Sequence, residues 1–311
     1  MTDGASPGPA PASAPVTVPA PAPARERGRP AQHIGRVARV EQLTPHMTRV
    51  VLTGDGLSAF GTGGLTDHYI KLLFPVAGTV GTDPDTGPID IQRIRAELPR
   101  EQWPRTRTYT VRAWDPQTRE LSVDFVLHGD EGVAGPWAAH AKPGDVIQFG
   151  GPGGGYAPDA DAAWHLLAGD ESALPAIAAA LEQLPPGARA HAFIEVAGPE
   201  EQQNLTTPGD AQITWLFRGA RRIGEALVEA VADLDFPAGD PHAFVHGEAG
   251  FVKELRRLLL IERGVPRERL SISGYWRTGQ DEDGWQAGKR DWNRQVEEEQ
   301  ERAAVSVLRS A

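Results

Sequence analysis

Cysteine is absent from all 311 residues. That absence removes disulfides, cysteine-ligated zinc, thiolate-held iron–sulfur clusters and thiol catalysis together. Electron transfer by this chain would need an organic cofactor, or a metal brought in by the substrate. Basic residues are in the minority, 31 against 42 acidic ones, for a formal charge of −11. Nucleic-acid binders draw much of their affinity from neutralising phosphates, so that class of partner is not expected. No apolar run approaches the roughly 20 residues that cross a bilayer, and membrane insertion is not expected either. The opening segment, 1–32, is rich in Ala, Pro and Ser, without the basic start and leucine-rich middle of a signal peptide. It reads as a disordered tail on a cytoplasmic protein.

What remains is long enough for two domains, with 40 % hydrophobic residues to fill their cores. Six short β-type runs come first: Arg36–Val40, Thr48–Thr53, His68–Phe74, Arg107–Arg112, Glu120–Leu127 and Val146–Phe149. Turn signals such as Gly54-Asp55-Gly56 and Pro143-Gly144-Asp145 separate them, and the pattern predicts a six-stranded antiparallel barrel. A long loop is expected over Pro75–Pro104 and a short helix near Ala134–Ala141. After the glycine-rich stretch 150–155 the pattern becomes strand–helix alternation. Strands are read at Trp164–Gly169, Ala190–Val196, Ile213–Phe217, Ala243–Gly247 and Leu270–Trp276, with helices at Ala173–Leu184, Ile223–Ala232 and Gly250–Glu262. That order implies a doubly wound parallel sheet, followed by a charged helix over Gln286–Leu308. The expected units are a barrel over 33–158, an α/β domain over 159–283 and a helical extension over 284–311.

Arg107-Thr108-Tyr109-Thr110 is the most informative motif. On a strand Arg107 and Tyr109 share one face and Thr110 takes the other. A fixed cation, a flat ring and a hydroxyl suit the pyrophosphate, the ring system and the reactive edge of a flavin dinucleotide. The same four residues are also ordinary β-formers. Downstream, Gly129 and Gly132-Val133-Ala134-Gly135 precede the short helix, where small residues let backbone N–H groups approach phosphate oxygens. Asp170, Glu171 and Ser172 sit where a strand turns into a helix, the edge at which open α/β sheets bind ligands. Two acids there favour the helix dipole but would repel a phosphate, so they read as pocket-shaping residues or simple caps. Glu248 occupies the equivalent turn after a later strand. Arg218, Arg221 and Arg222 stand where a 2′-phosphate would lie, or form a solvated cluster. His242 and His246 have helical metal-ligand spacing but fall in a strand, which would hold their rings roughly 13 Å apart; no protein metal site is expected.

Taken in order, these motifs resemble the siderophore-interacting proteins, or ferric-siderophore reductases, of the ferredoxin-NADP reductase superfamily. The residues carrying the resemblance are His68–Pro75, Arg107–Arg112, Asp124–Gly129, Gly132–Trp137, Gly169–Ile177, Gly247-Glu248 and Ser273–Gly279. The resemblance implies FAD, with NADH or NADPH as donor and a ferric siderophore as substrate. It implies that Arg107 contacts FAD phosphate, Tyr109 stacks on the isoalloxazine and Thr110 lies near N5, making Tyr109 and Thr110 the catalytic pair. It further implies cofactor contacts by Thr108, Asp124, Val126, Leu127, His128, Gly132, Ala134, Gly135, Trp137, Asp170, Glu171, Ser172, Ala173, Glu248, Tyr275 and Trp276. The family usually has serine where Gly135 stands, so one phosphate donor is missing here. Lys71 and Arg277, with Arg112 or Arg105, are expected to form a cationic rim that steers anionic chelates. The implied activity is reduction of the chelate by a monomer or weak dimer. The alternatives are a reductase serving a protein partner and a siderophore-binding module without turnover.

Overall fold

A computed structural model of the chain describes residues 31–76, 78–79, 88–129 and 132–310, with side chains described to Gln300 and at Arg302. The tail expected over 1–32 falls almost entirely outside the described residues.

The first sheet has seven strands: β1 (Gln32–Thr44), β2 (Met47–Thr53), β3 (Tyr69–Phe74), β4 (Arg105–Thr110), β5 (Ala113–Asp115), β6 (Glu120–Val126) and β7 (Val146–Gly153). Their order is β4-β3-β7-β1-β2-β6-β5, and all its pairings are antiparallel. Six correspond to the expected runs, and β5 is a three-residue addition that pairs with β6. Alternating residues such as Val50, Leu52, Ile70, Leu72, Leu121, Val123 and Phe149 fill one core. The Tyr109 ring of β4 lies 4.3 Å from the Phe125 ring of β6, which draws the two ends of the sheet together into a barrel.

Within the expected loop after β3 the structure has a helix, α1 (Ile91–Glu97). Asp90 caps it by accepting from the N–H groups of Gln92 and Arg93. Seven residues are too few to display a clear 3.6-residue period, which explains why composition alone reads as loop. Helix α2 (Ala134–His140) follows β6 as expected.

The second sheet is parallel, with β8 (Trp164–Gly169), β9 (Arg189–Val196), β10 (Asp210–Phe217), β11 (Pro241–Glu248) and β12 (Leu270–Trp276) in the order β10-β9-β8-β11-β12. Helix α3 (Leu174–Glu182) lies on one face, and α4 (Glu225–Ala232) and α5 (Ala249–Arg257) on the other. The α3 layer is Ala-rich, and Leu174, Ile177 and Leu181 bury against Leu167, Phe244 and Met47 of the barrel. One apolar cluster therefore serves both the α/β sheet and its junction with the barrel.

That junction has a polar clamp. Glu201, buried after β9, accepts from the Thr44 hydroxyl at 2.5 Å and the His46 N–H at 3.3 Å, and its other oxygen meets His46 Nδ1 at 2.5 Å. The turn between β1 and β2 is thereby tied to the α/β domain. Replacing Glu201 by Ala strands the Thr44 hydroxyl in a buried position, at a cost of about 1–3 kcal/mol. Urea denaturation of E201A should show that loss; an unchanged midpoint would remove the clamp from the account.

Candidate functional site

Strand β4 is an edge strand, paired on one side with β3 in the register Tyr69↔Thr110, Ile70↔Tyr109, Lys71↔Thr108 and Leu72↔Arg107. Arg107 and Tyr109 therefore share the face of the buried Ile70 and Leu72, while Thr108 and Thr110 share the other with Lys71 and Tyr69. Arg107 is nearly enclosed, at 9 % exposure. Its Nη1 donates to the Thr106 carbonyl at 2.8 Å and to Asp283 Oδ2 at 3.1 Å, and its Nε lies 4.0 Å from Glu282 Oε2. The outward N–H of Thr108 donates to Glu282 Oε1 at 2.9 Å. Burial pushes the Glu282 carboxyl above the usual range, against the pull of Thr108 and Arg107.

Those two acids come from α6 (Glu282–Ser310), which starts four residues earlier than expected. Asp281 Oδ1 accepts from the Gly284 N–H, and Glu282 and Asp283 occupy the positive end of the helix. Gly284 and Gly288 weaken the helical pattern over this first stretch. Trp285 anchors α6 by burying against Gly274 of β12. Lys289, one turn on, was missed in the sequence. It lies close enough to Lys71 and Glu282 to feel both, and burial lowers its ammonium first, with Lys71 adding to that effect. Nothing in the sequence alone pairs residues 71 and 289; only the position of α6 across β3 and β4 does.

The carboxyl edge of the parallel sheet is organised by Asp170, which is fully buried. Its Oδ1 accepts from the Ser172 N–H at 2.9 Å and the Ser172 hydroxyl at 2.5 Å. Its Oδ2 accepts from the Glu248 N–H at 2.8 Å and the Trp276 indole at 2.9 Å. One carboxyl thus joins the ends of β8, β11 and β12. Burial pushes it up to about 6, with the Glu171 charge adding to the rise and its donors opposing it. Tyr275 faces the barrel from the same edge: its ring is 4.8 Å from His246, and Asp67, Asp170 and Tyr69 act on its phenol, which burial pushes up. His246 is stacked on Phe244 at 4.0 Å, and burial lowers it to about 3.

The remaining expected site residues divide plainly. Leu127 and Trp137 are half-buried around the barrel core, Val126 is half-buried against the apolar cluster of the α/β sheet, and His128 is exposed. Gly132 has φ +82°, where a side chain would be strained, and α2 begins without a side-chain cap. A Cβ on Gly135 would meet only the Val126 carbonyl, at 3.7 Å. Ala134 and Ala173 are buried in the barrel core and beneath α3, and offer no side chain to the crevice. Asp124 is spent on a two-pronged pair with its cross-strand neighbour Arg49, at 2.7 and 2.9 Å. Arg112 forks onto Glu182 at the end of α3, at 3.0 and 2.5 Å, and lines a 560 Å³ cavity with Arg49 and Trp215. Arg218 is gripped by Glu171 at 2.7 Å and by the buried Glu195 at 3.4 Å. Arg277 follows β12 half-buried. His242 accepts from the Asp159 N–H and is separated along the strand from His246 by Phe244.

The residues fit a flavin dinucleotide: an enclosed guanidinium, a half-buried tyrosine ring, an outward N–H on the edge strand β4 and an uncapped glycine-bearing turn. The comparisons agree. Residues 36–156 match the model of the siderophore-interacting FAD-binding domain, and residues 162–279 that of the siderophore-interacting protein. The two matches fall in turn on the antiparallel barrel and on the parallel-sheet domain, and the two-domain fold is also that of a ferredoxin reductase of carbazole 1,9a-dioxygenase, with a TM-score of 0.57 at 16 % identity over 79 % of this chain and 70 % of that one. The chain belongs to the siderophore-interacting protein family. It is 48 % identical to an uncharacterized protein of Mycobacterium tuberculosis, over 85 % of this chain and 96 % of that one. It is 33 % identical to the NADPH-dependent ferric-chelate reductase of Escherichia coli, over 77 % and 91 %. The crystal structure of the siderophore-interacting protein SipS from Aeromonas hydrophila superposes with a TM-score of 0.70 at 31 % identity, covering 84 % of this chain and 98 % of that one.

The buried titrating groups set a pH dependence. His165 is held down to about 4 and His246 to about 3, chiefly by burial, so their contribution is present above pH 6.5 and is lost as pH falls toward those values. Asp170, raised to about 6, works the other way: its contribution is full below about pH 3.8 and is lost as pH rises through 6. Near pH 5 the unfolded chain holds about two extra histidine protons and the folded chain one extra carboxyl proton. The net sign is loss of stability on acidification, by about 1 kcal/mol per pH unit. Urea midpoints should fall from pH 7 to pH 5 in the wild type. In an H165F/H246F variant the fall over the same range should be smaller, and a wild type more stable at pH 5 would reverse the assignment.

Proposed function

We propose that this protein is an FAD-dependent NAD(P)H oxidoreductase that reduces ferric siderophores and so releases iron as Fe(II) in the cytoplasm. The observation that supports this reading is the nearness of two sets of groups: Tyr69, the cross-strand partner of Thr110, and Asp67 are close enough to the Tyr275 phenol to act on it. Arg107, Tyr109 and Thr110 belong to β4 of the barrel, and Tyr275 and Trp276 end β12 at the carboxyl edge of the parallel sheet. The first set suits a flavin; the second set is where open α/β sheets hold nucleotides. The ferric-chelate activity named for the Escherichia coli relative supports the same reading.

Bound FAD would supply the conversion of a hydride into single electrons, chemistry that no side chain here can perform. The balance is one NAD(P)H going to NAD(P)+ and a proton, with each electron taken by one Fe(III). The protein's own residues bind and orient. Arg107 neutralises phosphate charge, and Tyr109 offers a ring already backed by Phe125. Thr108 and Thr110 offer edge N–H groups and hydroxyls. Lys71 and Lys289 concentrate positive charge on the neighbouring face, in a chain whose net charge is −11. An anionic chelate is drawn to that local field while the rest of the surface repels it.

Two measurements test the reading. Arg107→Ala should weaken FAD binding by at least tenfold in a fluorescence titration; unchanged affinity would take Arg107 out of the phosphate role. Lys71→Ala and Lys289→Ala should each raise KM for an anionic ferric chelate several-fold, fall back toward wild type for a neutral chelate, and leave anaerobic flavin reduction by NAD(P)H untouched. Equal effects on both chelates would refute the charge-steering role.

A further inference from the structure

Arg107 already has anions. Asp283 takes its Nη1 at 3.1 Å, Glu282 stands 4.0 Å from its Nε, and Glu282 also takes the outward Thr108 N–H at 2.9 Å. These are two of the groups that the flavin reading assigns to the cofactor, and both are held by the first turn of one helix. The guanidinium is nearly enclosed, with a side-chain exposure of 11 %, whereas the Asp283 side chain is 49 % exposed. Glu282 carries a burial penalty that pushes its carboxyl up, so its hold is opposed by desolvation.

We infer that the first turn of α6 is a competitive latch: Glu282 and Asp283 occupy the phosphate-binding arginine and the strand edge in the flavin-free protein, and give way when a pyrophosphate enters. This rests on the reading of Arg107 as a phosphate ligand. A diphosphate brings more charge to Arg107 than one carboxylate does, and it makes shorter charge-assisted bonds than the 3.1 Å pair seen here. Repulsion between that diphosphate and two carboxylates makes joint occupancy unfavourable. Because Trp285 and Lys289 lie on the same helix, one turn beyond, loading the cofactor is coupled to the position of the lysine that faces Lys71. The latch would hold the cationic site closed to other anions until FAD arrives.

The test uses the full-length apoprotein and compares FAD with riboflavin, which has the same ring system and no phosphate. E282Q/D283N should bind FAD at least threefold more tightly than wild type while riboflavin affinity changes by less than twofold. D283N alone, at the more exposed position, should show part of the gain and covers the case in which the double variant folds poorly. Hydrogen exchange over residues 281–288 should rise on FAD binding to the wild type. Unchanged or weaker FAD binding by both variants overturns the latch, as does an equal gain for riboflavin. R107A separates the two ideas: if it binds FAD as wild type does, the reading of Arg107 fails first, whereas weak FAD binding by R107A together with unaltered binding by the acid variants sinks the latch alone.

Discussion

A guanidinium that is almost out of water must have an anion beside it. Leaving Arg107 without one would cost several kcal/mol, more than most single contacts in the fold can return. This requirement shapes the barrel's open end. It draws the start of α6 onto β4, and α6 in turn brings Lys289 toward Lys71 and lays Trp285 on β12. A strand edge, a terminal helix and the parallel sheet meet around one charge.

The α/β side solves a related problem with a carboxyl instead of a cation. Among the described residues Asp170 is buried without a basic partner, yet both oxygens are hydrogen-bonded, and its donors come from three different strand ends. Its raised pKa reflects that bargain between desolvation and donors. The residue shapes the crevice by fixing Glu248 and Trp276 relative to β8, and its own oxygens are already occupied. An acid at the head of a helix can thus organise the carboxyl edge of a parallel sheet.

Much of the architecture was legible because it follows local periodicity. Alternation in Val50–Leu52 and Leu121–Phe125 marks barrel strands, and continuous apolar runs such as Leu166–Gly169 mark buried parallel ones. The Arg107–Thr110 motif and the turn at Gly169–Ser172 were legible as candidate sites for the same reason. Long-range pairings were not. Arg112 with Glu182, Asp124 with Arg49 and Arg107 with Asp283 join residues far apart in the chain, and charge alone does not choose among the many possible partners. Two of those pairings engage residues that the sequence offered to ligand or substrate. The short α1 and the glycine-interrupted first turn of α6 were hidden because their caps, Asp90 and Asp281, lie in stretches that also read as turns.

The central claim is that one crevice joins a nicotinamide donor, a flavin and a ferric chelate. It is tested most directly by an anaerobic spectroscopic titration of the protein reconstituted with FAD. NADH or NADPH should bleach the flavin band, and subsequent addition of a ferric siderophore should restore it while Fe(II) appears in step, trapped by a colorimetric chelator. A flavin that bleaches but is not reoxidised by any ferric chelate, or a protein that takes up no FAD at all, would contradict the account.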